Sequence, residues 1–374
     1  MWIASLIINS LSVLSGLAML WRLPSFKRTR PLLSAEDTDT KAVSVIIPAY
    51  NESRRLLPLI ESLNSQTQQP LEILVVDDHS TDGTGLLAAS LGCQVLLADP
   101  VEPGWVGKSR ACWSGAKKAQ GTVLVFLDAD TRLERAEALS ELVAAFAQQG
   151  KKGILSVQPF HRVKKRYESF SAIFNIIVLS GLNRFSILGS RIHGTGAFGP
   201  CLICSKDDYF KVGGHQAIRT AVLDDLALGN LFSSHQLPVT CVSGRGVISF
   251  RMYPEGFWNL FEGWTKNFAT ASSSTHPFIM ALIILWIGGG FSTLGGLIRS
   301  LMVQSPIEIV AASSVTLAYL AVFLFQARRA GSFHWMVLIF YPLHVLFFAI
   351  LFTWSLYLTK IRRAVSWRGR NIQV

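Results

Sequence analysis

Residues 267–298 contain no Asp, Glu, Lys or Arg, and neither do residues 330–359. No ordinary soluble fold leaves uncharged tracts of that length, dense in Leu, Ile and Phe, in contact with water. Roughly 20 apolar residues suffice for a helix to cross a bilayer core, and both tracts exceed that. Pro277–Ile298 is the strongly apolar part of the first. Two further runs share the character: residues 1–21, with no charge before Arg22, and Ile309–Ala327. The 374 residues are 50% hydrophobic and 16% charged, so a chain of about two-domain length has apolar surface to place in more than one core. Disorder is excluded, because 23 Phe and 10 Trp supply ample core-forming surface. The cysteines, at 93, 112, 201, 204 and 241, are odd in number, which argues for reduced thiols facing the cytosol.

The formal net charge is +11, and its location decides its meaning. Arg22, Lys27, Arg28 and Arg30 precede the first following acid, Glu36, and the tail carries Lys360, Arg362, Arg363, Arg368 and Arg370 without an acid. The middle of the chain is close to neutral. A nucleic-acid-binding face needs its basic residues inside the folded domain, so that class is set aside. Basic residues flanking apolar runs mark the cytoplasmic side of a membrane protein. In residues 1–21 the charges follow the apolar run and no small-x-small cleavage site precedes Arg22, which favours an anchor with its N-terminus outside over a signal peptide. The expected organisation is an anchor at 1–21, a cytoplasmic domain at 41–275, a membrane cluster at 276–360 and a basic tail at 361–374, multi-pass in the cell membrane. Four full spans would put the basic tail outside. Either the Gly288-Gly289-Gly290 tract does not fully cross, or the last segment, interrupted by Pro342, re-enters.

Between Lys41 and Thr275 the pattern changes. Short β-branched runs at Val43–Ile47, Leu71–Val76, Gln94–Leu97 and Thr122–Leu127 alternate with helix-like stretches near 53–66, 83–91, 108–119 and 134–149. That alternation predicts βαβ units and a mostly parallel, Rossmann-like α/β sheet. Ligands of such sheets sit beyond the carboxyl ends of the strands. Those ends read Pro48-Ala49-Tyr50-Asn51-Glu52, Asp77-Asp78-His79-Ser80 and Asp128-Ala129-Asp130. Unliganded carboxylates on one rim repel each other and lose hydration, so the pattern calls for a cation or a hydrogen-bonding ligand. A lone Asp-x-Asp is also an ordinary turn or cap, but here it follows directly on the apolar run Val123–Leu127.

A dinucleotide fold requires glycines after its first strand, and this turn has none. Gly104-Trp105-Val106-Gly107-Lys108-Ser109 resembles the end of a phosphate-binding loop but lacks its leading glycine, since position 102 is Glu. Lys108, at a predicted helix start, can still meet a diphosphate through charge and backbone N–H groups. Asp224-Asp225 in an apolar setting reads either as helix-terminal acids favoured by the dipole or as a general base. The aromatics between Glu255 and Asn267 fit an interfacial belt or the closure of a site at the bilayer surface. Phe170–Leu188, free of acids, predicts a helix in the interface or lining an acceptor groove. Cys201-Leu202-Ile203-Cys204 has no second metal pair and reads as packing; His193, in a glycine loop, is a possible acceptor contact.

Taken together, Val45–Glu52, Val75–Thr84, Leu127–Asp130 and Asp224-Asp225 resemble, in order and spacing, the family 2 inverting glycosyltransferases, with their A-type nucleotide-sugar domain. Gly153–His161, Ser171–Asn175, Phe250–Phe257 and Glu262–Lys266 resemble more narrowly the 4,4'-diaponeurosporenoate glycosyltransferases of bacterial carotenoid synthesis. The resemblance runs over nearly the whole chain. It implies that Glu52 and Asp78 hold the uridine of a UDP-sugar with Pro48 beside the base, that Asp128 contacts ribose and sugar, and that Asp130 binds Mg²⁺ or Mn²⁺. It further implies Asp225, or Asp224, as the base that activates the acceptor. Trp264 and Lys266 become candidates for stacking on sugar or acceptor and for the diphosphate. Processive members carry Gln-x-x-Arg-Trp where this chain reads Glu262-Gly263-Trp264-Thr265-Lys266-Asn267, which points to single transfer onto a lipophilic acceptor in the bilayer. The resemblance implies glucose from UDP-glucose as the sugar and a carotenoid acid as the acceptor. Diacylglycerol, a hopanoid or a polyprenyl phosphate are the alternative acceptors, a non-catalytic sugar-nucleotide scaffold the alternative role, and other carotenoid-pathway enzymes the possible partners.

Overall fold

The computed structural model describes residues 2–24, 26, 39–100, 104–271, 275–362, 364–367 and 370–373. Lys27, Arg28 and Arg30 of the first basic segment, and Arg363 and Arg368 of the tail, lie outside the described residues. The chain folds as two compact units. One comprises Met1–Leu23, His161–Thr195 and Met252–Val374, the other Pro24–Phe160 and Gly196–Arg251. The stretch expected as one domain, 41–275, therefore contributes to both. Helix α1 (Trp2–Ala18) opens the first unit.

The second unit is built on a seven-stranded sheet. Its strands are β1 (Val43–Ala49), β2 (Glu72–Asp77), β3 (Gln94–Leu97), β4 (Val123–Leu127), β6 (Ile154–Gln158), β8 (Cys201–Ser205) and β9 (Val239–Ser243), ordered 3-2-1-4-8-6-9. β5 (Thr131–Leu133) pairs with β10 (Ile248–Phe250), and the two-residue β7 (Phe160–His161) follows β6 in sequence. The sheet is mostly parallel, as the alternation predicts. Only β8 runs against its neighbours β4 and β6. All seven residues of β1 are buried, which is what a central parallel strand covered on both faces requires. The period of two divides them: Val43, Val45 and Ile47 pack with α2 (Leu56–Asn64) and α5 (Ala138–Gln148). Ile46, with Leu74 and Val76, packs against α4 (Ser109–Lys118). Each fully buried aliphatic side chain contributes about 2 kcal/mol of transfer free energy to these two layers. Helices α3 (Thr84–Ser90), α7 (Lys206–Lys211), α8 (Gly214–Ala217) and α9 (Asp224–Ser234) complete the unit. Cys201 and Cys204 are buried in β8, and burial pushes both thiols up, so they pack and stay protonated.

The first unit is helical. After a 3₁₀ turn at Arg166–Ser171 come α6 (Ala172–Gly181), α10 (Phe257–Ala271), α11 (Pro277–Val303), α12 (Pro306–Ala330), α13 (Trp335–Leu338) and α14 (Tyr341–Tyr357). Two of these, α11 and α12, are long and apolar enough to cross a membrane. The N-terminal helix is shorter than expected. Its 17 residues span about 25 Å, less than a bilayer core of roughly 30 Å. The last apolar tract is broken just ahead of Pro342, into α13 and a 17-residue α14. Residues 170–188 do not form one helix: α6 ends at Gly181 and Asn183 takes a left-handed φ of 62°. Most of α6 is buried, with Asn175 Nδ2 3.0 Å from His161 Nδ1.

Helix α1 packs on α11 and α12, and one carbonyl near its end and one just beyond it find partners on α12. Gln326 Nε2 donates to Gly16 O at 2.7 Å, and Arg329 Nη1 donates to Leu20 O at 2.7 Å. Gln326 is fully buried. Gln326→Leu leaves the Gly16 carbonyl unsatisfied and is expected to destabilise the protein by about 1–3 kcal/mol. Thermal unfolding in detergent checks this.

Candidate active site

In the sheet order 3-2-1-4, the chain leaves β1 for β2 on one side and β4 lies on the other. The carboxyl ends of β1 and β4 thus flank a topological switch point, where crevices form in open α/β sheets. Three of the expected site acids, Glu52, Asp128 and Asp130, sit on loops at these strand ends, and a fourth, Asp78, directly follows β2. Pro48 is inside β1, paired with Val76, and Asp78 donates its backbone N–H to Ala49 O at 2.8 Å.

The loops after β1 and β2 brace each other through side chains. Asn51, at a left-handed φ of 54°, donates its N–H to Ser80 Oγ and accepts from Thr81 N, both at 2.9 Å. Glu52 N donates to Thr84 Oγ1, and Ser53 N to Asp82 Oδ2. Partial withdrawal from water pushes the Asp82 carboxyl up, but hydrogen bonds from Thr84 and Ser53 outweigh it and hold the group low. Of this brace only Glu52 was singled out from the sequence. Asn51, Ser80 and Asp82 are ordinary turn residues, and only the fold shows that their side chains span two loops.

Asp78 is buried and forms an ion pair with Arg110, near the start of α4. The sequence reading missed Arg110, although its place two residues after Lys108 was a usable signal. Arg110 Nη1 is buried with no hydrogen-bond partner among the described residues, which leaves it donors to offer a ligand. The helix carrying Lys108 and Arg110 lies tight on the sheet. A Cβ at Gly115 would come within 2.6 Å of Ile46 Cγ2 and 2.9 Å of Val76 Cγ2. Removing one partner of a buried pair strands the other charge. Arg110→Ala is therefore expected to cost about 3–5 kcal/mol of stability, read by denaturant unfolding.

Across the switch point, Lys108 Nζ meets Asp128 Oδ1 at 2.6 Å. Burial alone would lower the Lys108 pKa, but Asp128, Asp224 and Asp225 hold it well above its ordinary value. The acids at the start of α9 thus share one electrostatic environment with the Asp-x-Asp turn. Asp224 and Asp225 are the first two residues of α9, where the helix dipole favours acids. Asp225 is pushed up to about 7, first by withdrawal from water and then by Asp224. One Asp224 carboxylate oxygen is buried with no hydrogen-bond partner among the described residues.

Asp130 is also pushed up to about 7, by burial and then by Asp128 and Glu52. A carboxyl in that state takes up a cation readily, because the cation replaces the proton. Asp128 is already paired with Lys108, which leaves Asp130 as the better ligand. Among the described residues no three His, Cys, Asp or Glu side chains form a ready-made metal cage. The residues nevertheless fit Mg²⁺ or a similar ion, which needs only one or two carboxylates when substrate phosphates complete the shell.

Two acids raised in this way have a consequence for folding. The folded protein keeps protons up to about pH 7 that an unfolded carboxyl loses near pH 4. Unfolding then releases protons, so their contribution to stability falls as pH rises from about 4 to about 7. Metal-free protein is expected to melt lower at about pH 7.5 than at about pH 5.5, and Asp130→Asn is expected to reduce that difference. A thermal-unfolding series across pH checks this.

Trp264 and Lys266 lie on α10, in the other unit. Trp264 is 2% exposed, stacks on Phe174 and donates its Nε1–H to Ser171 Oγ at 2.9 Å. Its ring and its N–H are both taken by its own unit, so the expectation that it stacks on a sugar or acceptor is corrected to a packing role. Lys266 is half-buried on the same helix.

The family model for glycosyl transferase family 2 matches residues 44–204. The chain is 38% identical over 335 residues to the 4,4'-diaponeurosporenoate glycosyltransferase of Staphylococcus aureus (strain MRSA252), covering 89% of each sequence. The same identity and coverage hold for the enzyme of strain USA300. The chain belongs to glycosyl transferase family 2. Among solved structures, the mannosyltransferase of Pyrobaculum calidifontis in complex with GDP-Man and Mn²⁺ superposes with a TM-score of 0.54 at 16% identity, over 95% of this chain and 99% of that one. This family 2 glycosyltransferase shares that A-type fold, with a mostly parallel sheet and two long apolar helices near its C-terminus.

Proposed function

We propose that this family 2 glycosyltransferase moves glucose from UDP-glucose to a lipophilic acceptor, the carboxyl group of 4,4'-diaponeurosporenoate, with inversion at the anomeric carbon. The observation that carries the reading is the 38% identity to enzymes of that name over 89% of both chains. Within the site, Asp78, held by Arg110, accepts from the base, Pro48 lies beside it, and Glu52 assists the uridine. Asp128 orients ribose and sugar. Lys108 leaves Asp128 for the diphosphate when the donor binds. Asp130 holds Mg²⁺ or Mn²⁺, which when bound neutralises charge on the departing nucleoside diphosphate. Asp225, with Asp224 beside it, meets the reacting centre as the acceptor oxygen attacks the face opposite the leaving group. A carboxylate acceptor arrives ionised near pH 7, so the acidic pair mainly positions the sugar, and it would take a proton only from an alcohol acceptor. Lys266 is a second candidate for the diphosphate.

We place the enzyme in the cell membrane, with α11 and α12 crossing and the nucleotide-binding unit in the cytoplasm. The proposed acceptor partitions into the bilayer and has to be met there. Association with other enzymes of carotenoid synthesis follows from that shared location.

The test is label transfer in membranes expressing the protein, supplied with UDP-[¹⁴C]glucose, Mg²⁺ and solubilised diaponeurosporenoic acid. Label in a coloured, less apolar product supports the proposal. Label in a colourless lipid keeps the transferase and moves the acceptor to a diacylglycerol, hopanoid or polyprenyl phosphate. No label in any lipid rejects UDP-glucose as donor.

A further inference from the structure

The segment Gly196–Pro200 lies between the two halves of the acidic site. Its end leads into β8, which pairs with β4, and Pro200 O accepts from Asp128 N at 3.0 Å. It also contacts α9. Gly196 N donates to Asn230 Oδ1 at 2.8 Å, and a Cβ at Gly196 would come within 2.5 Å of Leu226 Cδ2. A Cβ on Gly229 of α9 would strike the backbone of Gly196 and Ala197. Helix and segment therefore meet at backbone contact, a proximity only Cβ-free positions allow. At the head of that contact, a Cβ at Gly199 would run into the Asp225 carboxylate, with Cγ at 2.6 Å.

The segment is held from beneath by one buried hydroxyl. Ser156 of β6 donates through Oγ to Phe198 O at 3.0 Å and accepts from Phe198 N at 2.7 Å. Ser156 is fully buried, so both bonds are shielded from water.

We infer that Gly199 is a positioning residue for the reaction: its missing side chain leaves the space in which the Asp225 carboxylate lies, and the Ser156–Phe198 bonds keep that space in register with Asp128. The inference rests on the reading of Asp225 as the group that meets the acceptor. The atoms met most closely at position 199 are the Asp225 carboxylate oxygen and Cγ, with Asp225 Cβ at 3.1 Å, and none of them is backbone. Asp225 can rotate away and leave the fold intact, so Gly199→Ala acts on turnover far more than on folding. The donor's base and ribose contacts are made by other residues, and donor affinity is unaffected.

The test uses the full-length protein in membranes, with UDP-glucose and diaponeurosporenoic acid as substrates. Gly199→Ala is expected to lower kcat by up to about tenfold, the loss expected for disabling Asp225 with this acceptor, with UDP-glucose affinity within about twofold of wild type and the melting temperature nearly unchanged. Ser156→Ala adds no volume and removes both bonds from Ser156 Oγ to Phe198. It is expected to lower kcat about three- to tenfold with the same unchanged donor affinity, and it serves if Gly199→Ala fails to fold. In an Asp225→Ala background, where the obstructed carboxylate is gone, Gly199→Ala is expected to reduce residual turnover no further. Turnover of Gly199→Ala within twofold of wild type overturns the inference. So does a loss that persists undiminished in the Asp225→Ala background, or one that appears as weakened donor binding. If Asp225→Ala itself turns over normally, the base reading fails instead, and the two failures are told apart.

Discussion

Replacing Asp130 with alanine is expected to reduce sugar transfer by a factor of about 10³ or more, because charge stabilisation at a leaving group commonly contributes that much. Burial, and then the negative charge of Asp128 and Glu52, push the carboxyl up to about 7. That cost is offset only if the group serves a ligand. Its removal relieves repulsion, so the variant is expected to fold and to melt no lower than wild type. A dead enzyme with intact stability is the predicted pair of results, measured by label transfer and thermal unfolding on the same preparation. Full activity in Asp130→Ala would rule out the metal assignment. Asp130→Asn is expected to behave alike in activity, since the amide lacks the negative charge with which a carboxylate holds Mg²⁺.

The second large effect depends on the acceptor. With an alcohol acceptor, Asp225→Asn is expected to lower kcat by about 10²–10⁴, the usual contribution of a positioned base. With a carboxylic acid acceptor the effect is expected to be nearer tenfold, because the nucleophile is already ionised near pH 7. The acidic pair then mainly positions the sugar. For the alcohol, kcat is also expected to rise with pH through about 7, since Asp225 is pushed up to about 7 and works as a base only when ionised. For the carboxylate that limb is expected to flatten. Equal and negligible loss with both acceptors would remove Asp225 from the mechanism. Measuring both acceptors on one preparation therefore reads the acceptor's chemistry from the enzyme's side.

Much of the site was legible from letters alone, because parallel-sheet sites are built from the residues immediately after strands. Glu52, Asp78, Asp128 and Asp130 all fall at such ends, and a β-branched run followed by acids is a local pattern. Lys108 was legible as the start of a helix. Its pairing with Asp128 was not, since 20 residues separate them in sequence. Arg110 and the Asn51–Ser80–Asp82 brace went unnoticed for a similar reason: their importance lies in what they touch. Trp264 shows the opposite error. An aromatic in a motif near an apolar tract reads as a stacking platform, and only packing revealed that Phe174 and Ser171 already occupy it.

The sequence alone determined the alternation of strands and helices, the apolar helices and the acidic strand ends. Each is a periodicity or a run, a property of neighbours along the chain. Tertiary structure decided which of those acids share a field, because Coulomb interactions fall off with distance in space and ignore distance in sequence. It brought Asp224 and Asp225 to the environment of Lys108 from about 115 residues away, and raised Asp130 and Asp225 by withdrawing them from water. It also decided that Gly199 faces Asp225, since the absence of a side chain carries meaning only where another atom fills the space.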